Sequence, residues 1–261
     1  MSAHVRAKKR LGQHFLHDPA VLRRLVGAIA PAPADRMVEI GPGRGALTRL
    51  LLERLERLDV VEIDRELAAS LPESVGSPEK LVVHTADALD FDFGRLAAGP
   101  GSLRVVGNLP YNVSTPLLFH LLESRDAIRD LHVMLQREVV ERMTAHPGGK
   151  DYGRLTVMLA VAARCDALFD VGPGAFSPPP KVWSTVVRIT PRTPDFPITD
   201  RARFAALVAH LFSMRRKTLG RALKGRVSAE RIASLDIDPM ARPETLAPAD
   251  FAKLAALDAE P

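Results

Sequence analysis

The sequence predicts an α/β fold in two parts, an open parallel sheet with helices on both faces over residues 1–192 and a small helical domain over residues 193–261. Between residues 36 and 136, short apolar runs alternate with helix-length amphipathic stretches, the pattern of βαβ units. Three prolines between residues 191 and 200 indicate a linker. After this linker, the pattern is helical to the end of the chain.

The apolar runs place the strands of the sheet near residues 36–41, 58–63, 81–85, 103–107 and 130–136, with a further alternating strand at 182–189. Amphipathic stretches place helices near residues 18–30, 46–57, 65–72, 115–123 and 137–146. The second part contains four predicted helices, over residues 201–212, 215–224, 228–234 and 243–257.

Composition excludes several classes of protein. The chain is 46% hydrophobic and 26% charged, which is ordinary for a globular protein, and its single cysteine, Cys165, cannot form an internal disulfide. The longest apolar stretch, residues 155–163, is too short to cross a bilayer, and the N-terminus lacks a signal-peptide apolar region. No histidine or cysteine spacing suggests a metal site. We therefore expect a cytoplasmic, monomeric protein that binds no metal and no membrane.

Positive charge is concentrated in two segments that contain no acid, residues 1–17 and 201–226. Together they carry 12 of the 36 lysines and arginines, so the rest of the chain has more acidic than basic residues. This asymmetry favours a polyanionic partner over a merely solvated surface.

A glycine-rich turn, IGPGRGALT, follows the first predicted strand. Gly41 and Gly43 allow tight backbone bending and close approach of a ligand, and the helix that follows offers free N–H groups. Glu62 ends the second strand, where such folds hold a ribose hydroxyl. Because Gly41, Gly43 and Ala46 also satisfy the dinucleotide fingerprint, NAD remains an alternative cofactor at this point.

Two further strand ends favour a different cofactor. Asp87 follows the third strand and can accept a hydrogen bond from an adenine amine, although a helix cap would also explain it. Asn108 ends the fourth strand and opens the tetrad Asn-Leu-Pro-Tyr. The glycine turn, Glu62, Asp87 and this tetrad, in this order, resemble S-adenosylmethionine-dependent methyltransferases that act on amino groups of nucleobases. An NAD enzyme needs no such tetrad.

Seven segments, in order, resemble the KsgA/RsmA family of ribosomal RNA adenine dimethyltransferases and cover most of the chain: KKRLGQHFLHD, IGPGRGALT, VEID, NLPYNVSTPL, LQREVVERM, AFSPPPKVWSTVV and LFSMRRKTL. The resemblance implies a Rossmann-like methyltransferase domain at residues 1–192 and S-adenosyl-L-methionine as cofactor. It implies a cofactor site built from His14, Leu16, Gly41, Glu62, Asp87 and Asn108. At His14 the sequence departs from the family, whose members often have Asn there.

The tetrad suggests how an adenine amine could be activated. Its lone pair is delocalised into the ring, so geometry must activate it. If the Asn108 side-chain carbonyl and the Leu109 backbone carbonyl accept its two hydrogens, the lone pair is aimed at the methyl group, and positioning supplies most of the rate. Tyr111 would offer a flat face to a base taken out of its stack. Phe176, by resemblance, is the second aromatic of this pocket.

The predicted RNA-binding residues are Arg221, Lys224, Arg215, Arg216, Lys217 and Lys181. By resemblance, the substrate is a pair of adjacent adenosines near the 3′ end of 16S ribosomal RNA in a pre-ribosomal 30S particle, each dimethylated during assembly. Three alternatives stay open: a large-subunit methyltransferase of the antibiotic-resistance type, a non-catalytic RNA-binding assembly factor on the same fold, and an NAD oxidoreductase.

Overall fold

The computed structural model describes Lys8 and residues 11–257, which form two compact units. The first unit contains the chain up to Val140 together with Asp166–Pro191, and the second contains Glu141–Cys165 and the chain from Arg192 onward. The sequence predicted one boundary after residue 192. The segment 141–165 instead belongs to the second unit, because Tyr152 and Val157 are buried in that unit's hydrophobic core.

Within the described residues, nine strands form two sheets. Their bounds are β1 Phe15–Leu16, β2 Arg36–Ile40, β3 Leu58–Glu62, β4 Leu81–Thr85, β5 Leu103–Asn108, β6 Ile128–Gln136, β7 Ala163–Val171, β8 Phe176–Ser177 and β9 Ser184–Pro191. Seven of them form one sheet in the order β4-β3-β2-β5-β6-β9-β7, and β1 pairs with β8 in a second, two-stranded sheet.

The five strands β2 to β6 are parallel where they pair, and all five were predicted. The further strand predicted at 182–189 corresponds to β9, which pairs antiparallel to β6 with Val133 opposite Val187, so the complete sheet is mixed. Strand β1 pairs antiparallel to β8 and was not predicted. Two-residue strands joined over a long sequence distance leave no periodic pattern to recognise.

The helices of the parallel region are α1 Pro19–Ile29, α2 Ala46–Leu52, α3 Arg65–Val75, α4 Ser114–Glu123 and α5 Arg137–Met143. Two of them begin at aspartates that accept backbone N–H groups: Asp18 caps α1 and Asp64 caps α3. Helix α2 ends five residues before its predicted end. Leu25, Leu51 and Val60 belong to the hydrophobic core that packs these helices on the sheet.

The second unit is helical, with α6 Arg154–Ala160, α7 Arg201–Ser213, α8 Leu219–Ala222, α9 Ala229–Ala233 and α10 Pro248–Leu257. Phe204, Leu211 and Phe251 are buried at its centre. The predicted helix over residues 215–224 is reduced to the four residues of α8. A turn precedes α8: α7 ends at Ser213 with Met214 as its C-cap, and Thr218 is extended at φ −69° and ψ 157°. Within residues 11–257, no helix is long and apolar enough to cross a membrane.

Candidate active site at the carboxyl edge of the parallel strands

A cavity lies in the first unit at the carboxyl ends of β2, β3, β4 and β5. Its lining comes mainly from residues 11–16, 39–44, 61–63, 86–89 and 108–113. The chain runs outward from β2 through β3 to β4, and in the other direction from β5 to β6. The strand order therefore reverses between β2 and β5, the place where open α/β sheets bind ligands.

Two glycines stand at the carboxyl ends of β2 and β5, where the strand order reverses. A Cβ at Gly107 would lie 2.5 Å from the backbone oxygen of Ile40, so only glycine fits between the paired strands. Gly41 has φ +65°, and a Cβ there would meet only the backbone oxygen of Asn108, at 3.9 Å. The glycine turn and the Asn108 strand end thus face each other across the cavity. Gly107 was not singled out from the sequence, because its role depends on the neighbouring strand.

Glu62 lies at the end of β3 with 4% of its surface exposed. One carboxylate oxygen accepts the N–H of Gly43 at 3.2 Å and the other accepts the N–H of Asp64 at 2.9 Å. Burial raises the pKa of Glu62 above its usual range, and these two backbone donors oppose the shift. The carboxyl group is therefore held in a fixed orientation against the glycine turn.

Glu39, which is not among the site residues predicted from the sequence, is a second buried acid of the cavity lining. It lies inside β2 with 2% of its surface exposed, and the hydroxyl of Thr48 donates to it at 2.7 Å. Burial raises the pKa of Glu39 to about 8, so the group is largely protonated at neutral pH. The signal available in the sequence was an acidic residue within the apolar run MVEI.

Asp87 follows β4 and lines the cavity as predicted. Its Oδ1 accepts the backbone N–H of Leu89 at 2.9 Å. This is the local turn that would be expected of a cap. No hydrogen bond to Oδ2 is formed by the part of the chain that the structure describes. Asp87 can therefore hold its own turn with one oxygen and present the other to a ligand.

Asn108 and Leu109 stand side by side at the end of β5. The side-chain amide of Asn108 donates to the backbone oxygen of His14 at 2.8 Å, which orients the amide. Leu109 is 1% exposed, and its N–H donates to the backbone oxygen of Met134. Among residues 11–257, no donor contacts the side-chain oxygen of Asn108 or the backbone oxygen of Leu109. Both acceptors remain available to a ligand.

Tyr111 lines the same cavity and is fixed from two sides. Its hydroxyl shares a 2.6 Å hydrogen bond with the hydroxyl of Ser184, and its ring stacks on that of His14, with the centroids 5.7 Å apart. The imidazole Nδ1 of His14 lies 2.8 Å from the backbone oxygen of Pro178. Burial raises the pKa of Tyr111, so its hydroxyl stays protonated near neutrality.

The predicted site residue Phe176 is placed differently. It lies in β8 opposite Leu16, is 2% exposed, and belongs to the hydrophobic core rather than to the cavity lining. Leu16 itself does line the cavity. In this conformation, Phe176 supports the N-terminal strand that carries Leu16 and presents no face to a base.

None of the predicted RNA-binding residues is part of the cavity lining. Lys181 is exposed in the first unit, whereas Arg216, Lys217, Arg221 and Lys224 are exposed in the second. Because the helix expected over residues 215–224 begins only at Leu219, Arg216 and Lys217 lie in the turn before α8.

Ion pairs involve basic side chains of both acid-free segments, Arg215 in one and Lys8 in the other. Arg215 contacts the Glu244 carboxylate at 2.8 Å and donates to the backbone oxygen of Lys150 at 3.0 Å. In the basic N-terminal segment, Lys8 pairs with Asp64 at 2.8 Å and with Glu66 at 3.1 Å. The other basic residues of that segment lie outside the described residues. Acids that are distant in sequence thus neutralise part of the charge counted from the sequence.

Within the described ranges, no group of three or more His, Cys, Asp or Glu side chains could hold a metal ion.

The model of one protein family, ribosomal RNA adenine dimethylase, matches residues 4–259. The chain belongs to this family. Ribosomal RNA small subunit methyltransferase A of Nitrosococcus oceani is 53% identical over 95% of this chain and 95% of its own. The protein of that name from Acinetobacter baylyi is 52% identical over 95% of this chain and 91% of its own.

Two solved structures share the fold of this family member. The dimethyladenosine transferase of Plasmodium falciparum superposes with a TM-score of 0.77 at 26% identity, covering 92% of this chain and 96% of that one. The 23S rRNA methyltransferase ErmE superposes with a TM-score of 0.72, also at 26% identity, covering 93% of this chain and 98% of that one. The predicted Rossmann-like methyltransferase fold is confirmed.

Membership of the ribosomal RNA adenine dimethylase family also confirms the predicted enzyme class and cofactor. The family transfers methyl groups from S-adenosylmethionine to adenines of ribosomal RNA. The NAD oxidoreductase considered from the glycine fingerprint is wrong.

Proposed function

We propose that this protein transfers methyl groups from S-adenosylmethionine to the exocyclic amines of two adjacent adenosines near the 3′ end of small-subunit ribosomal RNA, dimethylating each. The observation that carries the chemistry is the pair of free acceptors at the end of β5, the side-chain oxygen of Asn108 and the backbone oxygen of Leu109. We further propose that the substrate is an assembling 30S particle, that the enzyme acts as a monomer, and that it works in the cytoplasm.

Sequence similarity supports the small subunit over the large. Relatives that are 50–53% identical over nearly the whole chain carry the name ribosomal RNA small subunit methyltransferase A. The 23S enzyme ErmE shares the fold at only 26% identity. The fold alone does not discriminate, because the Plasmodium falciparum enzyme superposes at the same 26% identity. The preference therefore comes from sequence similarity.

The cavity residues fit the proposed cofactor. Gly41 has no side chain that would take up room in the cavity, and Glu62 lies at the end of β3 next to the glycine turn. Asp87 has one carboxylate oxygen that is not used by its own turn. When bound, the cofactor supplies an electrophilic methyl group on a sulfonium. Glu62 would accept from its ribose hydroxyls and Asp87 from its adenine amine. His14, Leu16 and Asn108 would complete the site.

The chain's own residues contribute to the reaction by positioning the target amine. The Asn108 side-chain oxygen and the Leu109 backbone oxygen would each accept one hydrogen of the target amine. This draws the nitrogen toward a tetrahedral geometry and directs its lone pair. Such orientation of reactants lowers a barrier by roughly 7–11 kcal/mol in well-aligned cases, so no strong general base is required. The proton released after transfer passes to solvent.

Tyr111 is proposed to stack on the flipped target base. Its ring is held in place by the Ser184 hydrogen bond. A fixed aromatic face costs less entropy on binding than a mobile one, because its rotamer is already selected. Since His14 now stacks on the Tyr111 ring, a base that uses the same face would displace or slide along the imidazole. Phe176 is not part of this proposed stack.

Phosphate contacts are proposed for the exposed basic residues Lys181, Arg216, Lys217, Arg221 and Lys224, and not for Arg215, which is paired with Glu244. Such contacts fix the position of an RNA without reading its sequence. The choice of base would then be made at the Asn108 cavity.

The test is methyl transfer from labelled S-adenosylmethionine to purified small and large ribosomal subunits from cells that lack the corresponding gene, followed by mapping of the methylated nucleotides. Dimethylation of two adjacent adenosines near the 3′ end of the small-subunit RNA is expected. Methylation of large-subunit RNA instead would favour the ErmE-like activity. Tight particle binding with no transfer, at saturating cofactor, would favour a non-catalytic assembly factor.

A further inference from the structure

Trp183 is the only tryptophan of the sequence, and 52% of its surface is exposed. It follows Val182, which is 43% exposed, and immediately precedes β9. Tryptophan offers the largest aromatic face of the side chains and is enriched at interfaces, so an exposed indole beside an exposed valine is a candidate contact surface. Nothing in the family's chemistry described above uses this side chain.

The Trp183 ring lies over a glycine. A Cβ placed on Gly172 would lie 3.6, 3.7 and 3.9 Å from Cη2, Cζ3 and Cζ2 of the indole. Because three successive ring atoms are nearly equidistant from that point, the ring presents its face, not its edge, to Gly172. A side chain at position 172 would occupy the space between the backbone and the ring. One face of the indole is therefore turned toward Gly172, and the opposite face is the one that a partner could cover.

Trp183 lies near the proposed target-base pocket along the same sheet edge. Ser184, the next residue, forms the 2.6 Å hydrogen bond that fixes the Tyr111 hydroxyl. Ser184 pairs with Gln136 at the carboxyl end of β6, so Trp183 emerges at the same edge of the sheet as Asn108. The N–H of Arg137 donates to the backbone oxygen of Trp183 at 2.9 Å and holds this segment in place.

The surroundings favour a nucleic acid as the occupant of this face. Lys181 is exposed two residues before Trp183 and offers a cation to a phosphate. A flat aromatic face beside a lysine is the combination that binds single-stranded RNA, because every base has a face to stack and every nucleotide carries a phosphate. Enzymes that flip a base also contact the nucleotides on either side of it.

We propose that Trp183 is a stacking platform for the base of a nucleotide adjacent to the target adenosine, with Lys181 at a neighbouring phosphate. The inference rests on the proposed action on RNA and adds a positioning residue to it. Trp183 would hold the RNA strand that carries the target adenosine. The flipped base would then enter the cavity with its amine at Asn108.

Because Trp183 is the only tryptophan, its fluorescence reports on this contact directly. The probe is a synthetic RNA hairpin that presents two adjacent adenosines in its single-stranded loop. Stacking of a base on the indole should quench the emission in a saturable way. The same hairpin with abasic sites at the nucleotides flanking the adenosines should bind with little quenching. Equal quenching by both RNAs would refute the proposal that a flanking base stacks on Trp183.

A variant series tests the effect on turnover with unmethylated small ribosomal subunits. Trp183→Ala should lower kcat/KM for the particle by roughly five- to hundredfold, the range expected for loss of one base stack. Trp183→Phe should retain most of the activity, because it keeps an aromatic face. Val182→Ala, which removes exposed apolar surface from the neighbouring position, should behave as wild type. S-adenosylmethionine affinity should be unchanged throughout.

The outcomes separate this inference from the proposed function. If wild type methylates the particle and Trp183→Ala does so equally well, the platform is rejected and the proposed function stands. If wild type neither binds nor methylates small-subunit RNA, both are rejected. If Trp183→Ala lowers particle binding while RNA fails to quench the indole, the ring contacts a ribosomal protein rather than a base.

Discussion

The side-chain nitrogen of Asn108 donates a 2.8 Å hydrogen bond to the backbone oxygen of His14, 94 positions earlier in the chain. This contact fixes the amide so that its oxygen points away from the N-terminal segment as a free acceptor. It also ties that segment to the cavity that it lines. This one hydrogen bond therefore orients the Asn108 side-chain oxygen and holds the N-terminal segment at the cavity.

Asn108→Asp is the substitution that isolates this geometry. The two side chains have the same shape, but a carboxylate cannot donate to the His14 oxygen and would be repelled by it. We expect methyl transfer at saturating cofactor to fall by about 10- to 100-fold or more, since hydrogen bonds of this kind are worth about 1–3 kcal/mol. RNA affinity should change little, because phosphate contacts supply most of it.

Asn112→Asp is the matched control for this substitution. It adds the same charge to an exposed residue of the same turn. A comparable loss in both variants would mean that negative charge near the cavity, and not the orientation of Asn108, impairs transfer. Full activity of a folded Asn108→Asp variant would refute the positioning role.

Asp87 has two functions in our proposal, and two substitutions separate them. Asp87→Asn keeps an oxygen for the N–H of Leu89 but loses the charge, whereas Asp87→Ala loses both. If the second oxygen binds the cofactor's adenine amine, calorimetric titration should show weaker S-adenosylmethionine binding in both variants. The loss should reach roughly 10- to 100-fold for Ala, because charged hydrogen bonds are worth about 1.5–3 kcal/mol. Unchanged cofactor affinity in Asp87→Asn would show that Asp87 stabilises its own turn and does not bind the cofactor.

The features that could be predicted from sequence depend on local pattern. Strands β2 to β6 are apolar runs bounded by turn residues, and Gly41, Glu62, Asp87 and Asn108 stand directly at their ends. Once the strands are parallel, their carboxyl ends meet at one edge, so the four residues had to converge. The cavity lining contains all four.

The features that were missed depend on residues far apart in the sequence. Phe176 could be placed in the core only by knowing that β8 pairs with β1. Arg215 was counted as free positive charge because Glu244, its partner, is 29 positions away. Gly107 owes its role to Ile40 on the adjacent strand. Such pairings are decided by packing in three dimensions and have no counterpart in periodicity.

Glu39 predicts a specific pH dependence of stability. Its pKa is raised to about 8 in the folded protein from an ordinary value of 4.5, so the folded state binds a proton that the unfolded state has released. Its contribution to the free energy of unfolding is therefore fully present below about pH 4.5 and is lost as the pH rises through about 8. Between pH 6 and 9, wild type should lose on the order of 3 kcal/mol relative to Glu39→Gln, which cannot titrate. Urea unfolding of both proteins at the two pH values, without cofactor, measures this. Parallel pH profiles would show that Glu39 is already ionised when folded.

The exposed pair Arg221 and Lys224 should differ from Arg215 in salt dependence, because Arg215 is already paired with Glu244 while the other two face solvent. Replacing both Arg221 and Lys224 with Gln should weaken binding to the small ribosomal subunit. If each residue contacts one phosphate, the log–log slope of affinity against salt should flatten by about 1.4–1.8. Arg215→Gln should leave the slope unchanged and instead lower the free energy of unfolding by about 0.5–1 kcal/mol, the usual value of a partly exposed ion pair.

Lys150→Gln combined with Lys253→Gln removes the same net charge from the same unit and controls for a general electrostatic effect. Particle binding at several salt concentrations, with S-adenosylmethionine affinity measured in parallel, tests all three variants. If the two double variants flatten the slope equally, overall charge attracts the particle and Arg221 and Lys224 are not specific phosphate contacts.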